Sequence, residues 1–149
     1  MDDFEIGMAE RQSDMEEVFQ IRRIVFIEDQ NVPYDIEMDG LEDVSDHIIM
    51  RFKGITIGCG RIRRTGNGVK LERVAVLEEY RRRGFGSILM RFMVDRALEM
   101  KSETIYLHSQ VAAVDFYSRF GFKSRGRIFQ EADIDHVRMV YQPDPRDEP

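Results

Sequence analysis

The sequence contains a single cysteine and no long apolar stretch. Cys59 alone can form neither a disulfide within the chain nor a cysteine-rich zinc site, and its presence suits a reducing compartment. The first ten residues, MDDFEIGMAE, lack the basic and apolar segments of a secretory signal, and no apolar run approaches the length of a membrane span. No spacing of metal-ligating residues stands out. We therefore expect a cytoplasmic protein with no metal and no membrane partner.

The chain also lacks the basic excess of a nucleic-acid-binding protein. Its formal net charge is −6 and its sequence pI is about 5.1, so we expect no nucleic acid among its partners. Its 42% hydrophobic and 34% charged residues, with only 4 prolines, are typical of a globular protein. Because the 149 residues show no repeat or linker, residues 1–149 are predicted to form one domain with a frayed tail at residues 143–149.

Residue alternation and turn signals predict the order of the elements. The predicted strands are residues 4–8, 47–52, 55–62, 69–76, 104–110, 123–130 and 136–142. The first strand precedes an amphipathic helix, for which Ser13 and Glu16 form a capping box. Helical spacing returns after residue 84 and extends to Lys101, and a short helix is predicted at residues 112–120. The second, third and fourth strands are predicted to form an antiparallel meander. The acidic stretch 29–46 is predicted to be a long loop that borders a substrate site.

The segment EEYRRRGFGSILM, residues 78–90, indicates an anion-binding site. It delivers arginines and glycines to the start of a predicted helix, where unpaired N–H groups and the positive end of the helix dipole meet. Glycines let a ligand approach the main chain, and phosphate fits this arrangement well. A dinucleotide-binding fingerprint would need glycine or alanine in place of Leu89, and a Walker loop would need lysine after its last glycine. The alternative interpretation is a tight turn beside a solvated arginine cluster.

RRRGFG in this segment resembles the pyrophosphate-binding loop of the GCN5-related N-acetyltransferase (GNAT) superfamily. LERVAV matches the preceding strand, AAVDFYSRFGF matches the later FY and GF segment, and the element order agrees from Phe4 to Tyr141. IRRIVFIEDQNVP, EMDGLEDVSDH and LHSQVAAVDFYSRFGF are similar to small bacterial members of the YjcF and ElaA types. The resemblance implies the GNAT acyl-CoA N-acyltransferase fold, a mixed α/β (α+β) fold whose mostly antiparallel central sheet is flanked by helices.

The resemblance also implies acetyl-CoA as the co-substrate. Backbone N–H groups of the loop would hold the pyrophosphate, with Arg81 at the signature position. The end of the preceding strand would hydrogen-bond the pantetheine arm as another strand would. The implied cofactor-binding residues are Val74, Ala75, Val76, Arg81, Arg82, Arg83, Gly84, Phe85, Gly86 and Ser87.

Two residues are candidates for proton transfer. The resemblance implies that Tyr117, at the FY position, lies near the CoA sulfur and acts as general acid, because a phenol with a pKa near ~10 can protonate a thiolate. The alternative role for Tyr117 is packing among the neighbouring phenylalanines. Glu72 is a candidate base on the strand before the loop, although other family members place the glutamate where this chain has Lys70. A salt bridge from Glu72 to a nearby arginine is the alternative.

Candidate substrate residues are Glu28, Gln30, His108 and Gln110. His108 and Gln110 end the strand after the long helix and could reach the gap, although a lone histidine is more often structural. An acidic rim that attracts a cationic amine could form from Glu28 and three loop carboxylates, Glu37, Asp39 and Asp43. A solvated charged loop is the alternative meaning of this composition.

The resemblance predicts an N-acetyltransferase that moves acetyl from acetyl-CoA to a primary amine by direct transfer in a ternary complex. One alternative is a noncatalytic acyl-CoA-binding or sensing module, which would keep the loop without needing the proton-transfer residues. A second is an acyltransferase similar to the acylhomoserine lactone synthases, which share an RxxxF pattern but not the plain RRRGFG loop. The acceptor could be a small molecule or a peptide. The sequence does not decide whether the chain forms a homodimer.

Overall fold

Seven strands form one sheet in the computed structural model, which describes residues 3–143. The strands are β1 Phe4–Met8, β2 Ser45–Phe52, β3 Ile55–Thr65, β4 Gly68–Val76, β5 Ile105–Gln110, β6 Phe122–Glu131 and β7 Ile134–Tyr141. The α-helices are α1 Gln12–Arg22, α2 Tyr34–Glu37, α3 Phe85–Glu99 and α4 Val114–Ser118. The predicted strands and helices are confirmed with small shifts in their bounds. Residues 144–149 of the predicted frayed tail lie outside the described residues.

The strand order is β1-β2-β3-β4-β5-β7-β6. Strands β1 to β4 pair antiparallel, as predicted for the meander, and β5, β7 and β6 form a second antiparallel group. Strands β4 and β5 join the two groups as a parallel pair. Parallel neighbours need a crossover connection, and α3 lies in that connection. The predicted fold class is confirmed: a mixed, mostly antiparallel sheet flanked by helices.

Two hydrophobic clusters hold the helices on the sheet. Helix α3 buries Leu89, Met93 and Ala97 at helical spacing in the main core. Helix α1 buries Val18 and Ile21 in a second, smaller cluster with residues of β2, β3 and β4. Because successive strand residues point to opposite faces, these two clusters cover the two sides of the sheet.

Strands β4 and β5 separate soon after they meet. Three residue pairs join them, and the last pair is Leu71 with Leu107. The register between β3 and β4 shifts between Cys59 and Arg61, and Arg73 has a φ of 55° in the same region of β4. This left-handed conformation is uncommon for a residue with a side chain, and a bulge of this kind bends a strand. The bend coincides with a fork between β4 and β5.

Helix α1 begins differently from the prediction. The backbone N–H of Arg11, the N-cap residue, donates to Asp14 Oδ2 at 3.2 Å, so the predicted capping box of Ser13 and Glu16 is wrong. Arg51 on β2 lies 2.8 Å from Asp14 Oδ1. This tertiary ion pair fixes the Asp14 carboxylate beside the helix start, which a local sequence pattern does not reveal.

The predicted loop at residues 29–46 contains more regular structure than expected. Helix α1 continues as a π-helix over Arg23–Asp29, α2 adds one short turn, and a 3-10 turn spans Glu42–Val44. π-helices are rare and occur frequently at functional sites. Here the π-helix places Val25 and Phe26 at the wall of the cavity described below.

Candidate active site

The arginine-glycine loop forms a concave main-chain surface at the start of α3. Arg82 and Gly84 have φ values of 63° and 86°, on either side of Arg83. Alternation between left- and right-handed conformations turns successive N–H groups toward one side and creates an anion-binding concavity. Gly84 is also the N-cap of α3, so the unpaired N–H groups of the first helical turn open at the same place. The loop can therefore bind a phosphate group through its backbone.

The three arginines of this loop have different surroundings. Arg81 Nε donates to the Val76 carbonyl oxygen at 2.8 Å, which ties the loop to the end of β4. The guanidinium of Arg83 lies 5.2 Å from the ring centroid of Phe52, a cation–π distance. Arg82 is exposed to solvent. Arg83 therefore stabilises the loop by packing, while Arg81 borders the cavity.

A cavity of about 520 Å³ occupies the fork between β4 and β5. It extends from Arg81 and the predicted pantetheine strand, residues 74–76, past Tyr117 to polar side chains of β5, β6 and β7. The other predicted site residues that line it are Glu72, Gln30, His108 and Gln110. The structure thus brings the predicted cofactor strand, the proton-transfer candidates and three of the four substrate candidates to one cavity.

Tyr117 lies on α4 with a half-buried side chain that lines this cavity. Its ring packs edge-on against Phe116, with centroids 5.1 Å apart, so the residue also contributes to packing. Burial raises the pKa of Tyr117 to about 12. The phenol therefore keeps its proton at neutral pH, which is the protonation state that a proton donor requires.

Glu72 is enclosed by three cations. Arg61 Nε and Arg63 Nε donate to Glu72 Oε2 at 2.6 and 2.9 Å, and Lys70 Nζ lies 3.2 Å from Oε1. Burial by itself raises the pKa of Glu72, but the hydrogen bond from Arg63 and the charges of Arg61 and Lys70 lower it to about 2. Because a carboxylate with this pKa accepts protons weakly, the surroundings favour the salt-bridge interpretation of Glu72 over a catalytic base.

A chain of ion pairs continues from Arg61 to the segment between α1 and β2. Arg61 Nη2 lies 2.7 Å from Asp39 Oδ2, and Arg73 Nη2 lies 3.2 Å from the same oxygen. Arg73 Nε lies 2.8 Å from Glu37 Oε2, and Glu37 also pairs with Arg22. Arg22, Arg61 and Glu37 are each at most 2% exposed. This buried network anchors α2 and its flanking turns over the bulge of β4.

The predicted acidic rim differs from the structure at three of its four residues. The carboxylates of Glu37 and Asp39 point into the network rather than toward solvent. Burial opposes ionisation of Asp39, but the hydrogen bond from Arg61 holds the pKa of Asp39 well below its usual range. Glu28 is exposed beside Arg23 at 3.4 Å and does not border the cavity. The sequence could not show the pairing of Glu37 and Asp39, because their arginine partners come from other elements, α1, β3 and β4.

Two predicted substrate residues meet across the cavity. Gln110 Nε2 donates to Gln30 Oε1 at 2.9 Å, which links the end of β5 to the segment after the π-helix. His108 lies two residues before Gln110 and therefore on the same face of β5. These three side chains form one wall of the cavity.

Glu131 and His136, neither of which the sequence predicted as a site residue, also line the cavity. Both belong to the hairpin of β6 and β7, whose turn residues Ala132 and Asp133 have φ values of 51° and 62°. Turns with two positive φ values are usually signalled by Asn-Gly or Asp-Gly, and this sequence has Ala-Asp instead. If the two-residue turn had been recognised in the sequence, strand alternation on either side of it would have placed Glu131 and His136 on one face of the hairpin.

Residues 25–143 match the acetyltransferase (GNAT) domain family. The chain belongs to the GNAT family. One relative of this GNAT chain, uncharacterized N-acetyltransferase YjcF of Bacillus subtilis, is 33% identical over 134 residues, which cover 89% of this chain and 96% of the relative. Protein ElaA of Escherichia coli is 28% identical over 128 residues, which cover 83% of this chain and 84% of that protein.

Solved structures share the same GNAT architecture. The crystal structure of E. coli ElaA superimposes with a TM-score of 0.83 and 26% identity, covering 93% of this chain and 99% of ElaA. A GNAT family acetyltransferase from Elizabethkingia anophelis, solved with acetyl-CoA bound, has a TM-score of 0.75 at 11% identity and covers 95% of this chain and 99% of its own. This second likeness concerns the fold alone.

Within residues 3–143, no helix has the length and apolar character needed to cross a membrane. The same part of the chain contains no group of three or more His, Cys, Asp or Glu side chains arranged to hold a metal ion.

Proposed function

We propose that this GNAT chain transfers acetyl from acetyl-CoA to a primary amine by direct attack in a ternary complex. The observation that carries the proposal is the single cavity in the strand fork. At one end it meets Arg81, where the anion-binding loop begins, and the free edge of β4, and at the other it meets polar side chains of β5, β6 and β7. Tyr117 lies on the wall of the same cavity.

The donor end suits acetyl-CoA. Ala75 and Val76 pair with β3 on one side, but residues 74–76 have no β5 partner on the other, because the parallel pairing ends at Leu71. Backbone groups on that free edge can hydrogen-bond the amides of a pantetheine arm as an added strand would. The loop at Arg82 and Gly84 offers converging N–H groups for the pyrophosphate. The E. anophelis structure, solved with acetyl-CoA bound, shows that this fold can accommodate such a ligand.

The chemistry proceeds without a covalent enzyme intermediate. The deprotonated amine attacks the thioester carbonyl carbon, a C–N bond forms, and the C–S bond breaks. Tyr117 donates its phenolic proton to the sulfur as that bond breaks. A phenol with a pKa of about 12 holds this proton until the thiolate develops. Cys59, 1% exposed beneath the bulge, takes no part, since its burial raises its pKa to about 12.

Two measurements test the proposal. Calorimetry with acetyl-CoA measures binding, and release of free CoA is followed with a thiol reagent while spermidine, kanamycin, a peptide with a free N-terminus and a lysine-containing peptide are offered in turn. Mass spectrometry of each product should show one added acetyl group. The buried Cys59 should add little thiol background. Tight acetyl-CoA binding without acetylation of any amine would instead indicate a noncatalytic binding module.

A further inference from the structure

His108 stands at the point where the two central strands separate. Leu107 is the last residue of β5 paired with β4, so His108 is the first residue beyond the junction, as Glu72 is on β4. The His108 side chain is about 26% exposed and lines the same cavity as Tyr117. The imidazole can therefore meet groups that are bound in the fork.

The Glu131 carboxylate orients this imidazole. Glu131 Oε1 lies 3.6 Å from His108 Nδ1, and Nδ1 is buried without a hydrogen-bond partner in the part of the chain described. The adjacent His108 imidazole lowers the pKa of Glu131, against the effect of burial, so Glu131 is a carboxylate at neutral pH. A carboxylate beside Nδ1 favours the tautomer that carries its proton there. The lone pair of neutral His108 is then on Nε2.

His136 lies near the other oxygen of Glu131, and this contact is an ion pair only when His136 is protonated at both nitrogens. His136 Nδ1 lies 2.7 Å from the Ile134 carbonyl oxygen, which can only accept, so Nδ1 carries a proton. Its Nε2 lies 3.7 Å from Glu131 Oε2. The ring of Phe129 stacks on His136 and meets His108 edge-on, with centroids 6.0 and 5.0 Å away. Glu131 is thus placed between two imidazoles whose rings share one aromatic neighbour.

The other candidate base is chemically less suited. Glu72 shares its two oxygens among three cations, and its low pKa makes it a poor acceptor for a proton from an ammonium group. Imidazole is the side chain best matched to proton transfer near neutral pH.

We propose that His108 is the general base that deprotonates the acceptor amine, with Glu131 as the residue that positions it. This role rests on the proposed function. One ammonium proton passes to His108 Nε2 and then to solvent. After the C–N bond forms, a second proton leaves the nitrogen and replaces the one that Tyr117 gives to the CoA sulfur. The products are the amide, CoA thiol and one released proton.

The first test is His108→Ala, assayed with the panel amine that the parent acetylates fastest. We expect kcat to fall roughly 10²- to 10⁴-fold, the range for loss of a general base, with the Kd for acetyl-CoA unchanged. Imidazole added to the solution should restore part of the rate, which it would not do for a packing defect. Tyr106→Phe is the control: among the described residues the Tyr106 hydroxyl pairs only with Thr65 Oγ1, 2.7 Å away, and phenylalanine keeps the ring that lies 5.8 Å from the His108 ring.

The second test is the pH profile of kcat/KM. The decrease in kcat/KM at acidic pH should reflect protonation of the base. This decrease should disappear in His108→Ala. It should shift to a different pH in Glu131→Gln, which keeps the size of Glu131 but not its charge. The titratable and charged groups around His108 are Lys70 and Glu72 on β4, Tyr106 on its own strand, Tyr117 on α4, Glu131 on β6, and His136 and Arg138 on β7. Nitrogen NMR of labelled protein should show the Nδ1–H tautomer of His108 and its loss of preference in Glu131→Gln.

The outcomes of these tests distinguish failure of the His108 role from failure of the proposed function. An active parent whose His108→Ala variant keeps its kcat and the decrease in kcat/KM at acidic pH overturns the role of His108 and leaves the proposed function intact. A parent that binds acetyl-CoA but acetylates no amine overturns both. A His108 that is the Nε2–H tautomer in the parent also overturns the role, because its lone pair would then face Glu131.

Discussion

Replacing Glu72 with glutamine removes a charge that three cations share and keeps the size of the side chain. A pKa of about 2 in place of the ordinary 4.5 corresponds to about 3 kcal/mol of stability, since a tenfold change in a dissociation constant equals about 1.4 kcal/mol. Removing one partner of a buried ion pair independently suggests a cost of about 3–5 kcal/mol. We therefore expect Glu72→Gln to lower the free energy of unfolding by about 3 kcal/mol at neutral pH.

The pH dependence of this loss follows from the lowered pKa. A carboxylate whose folded-state pKa is depressed stabilises the protein fully above the unfolded-state pKa, and the stabilisation disappears as the pH falls through the folded-state value. For Glu72 the window runs from about 4.5 down to about 2. The difference in stability between the parent and Glu72→Gln should therefore be constant at neutral pH and shrink below pH 4.5.

Chemical denaturation followed by circular dichroism measures the loss directly. In a thermal scan, Tm should fall by roughly 6–12 °C, because 1 kcal/mol shifts Tm by about 2–4 °C in a chain of this length. Glu5→Gln is the matched control, since Glu5 is exposed on the edge strand β1. If Glu72→Gln kept the parental Tm but lost its turnover, the ion-pair argument would be refuted and Glu72 would return as a candidate base.

Other substitutions probe the remaining parts of the site. Tyr117→Phe should lower kcat roughly 10²- to 10⁴-fold in steady-state assays with acetyl-CoA affinity retained, and equal turnover would leave only packing. Gly84→Val, at a φ of 86°, should weaken acetyl-CoA binding in calorimetry, and an unchanged Kd in a folded variant would contradict the loop assignment. Binding should also weaken with added salt, as phosphate recognition requires. Cys59 should react with a thiol reagent only after unfolding, because it is 1% exposed. Fast labelling of the folded protein would show that the smaller hydrophobic cluster between α1 and the sheet opens.

The local features of the fold were predictable because they depend on neighbouring residues. Alternating apolar residues predicted β2, β3 and β4. The glycines around Phe85 predicted the loop at the start of α3. The bulge at Arg73 was not predictable, because a left-handed residue in a strand is usually glycine and this one is arginine. The pairing that selects this conformation comes from β3 and from Glu37, which is 36 positions earlier.

The residues of the candidate site also divide into those that the sequence could predict and those that it could not. Tyr117 and the loop were identified because their motif is contiguous in sequence. The acidic residues were assigned to a solvent-facing rim, because composition alone does not reveal that Arg22 and Arg61 approach them from other elements. Glu131 was identified only from the structure, in which the hairpin of β6 and β7 places it beside His108. Long-range contacts of this kind determine which charged side chains are neutralised and which remain available for chemistry.

The three-pair seam between β4 and β5 would couple the stability of the fold to acetyl-CoA, the proposed ligand. Two halves of the sheet meet along only these pairs, and α3 connects them, so a ligand inserted in the fork would bridge both halves. Ligand at 100 times its Kd adds about 2.7 kcal/mol to folding, close to the contribution expected from Glu72. Amide hydrogens along the free edge of β4 should then exchange more slowly with solvent when acetyl-CoA is bound. The lifetime of such a protein in a cell would rise and fall with the supply of its own substrate.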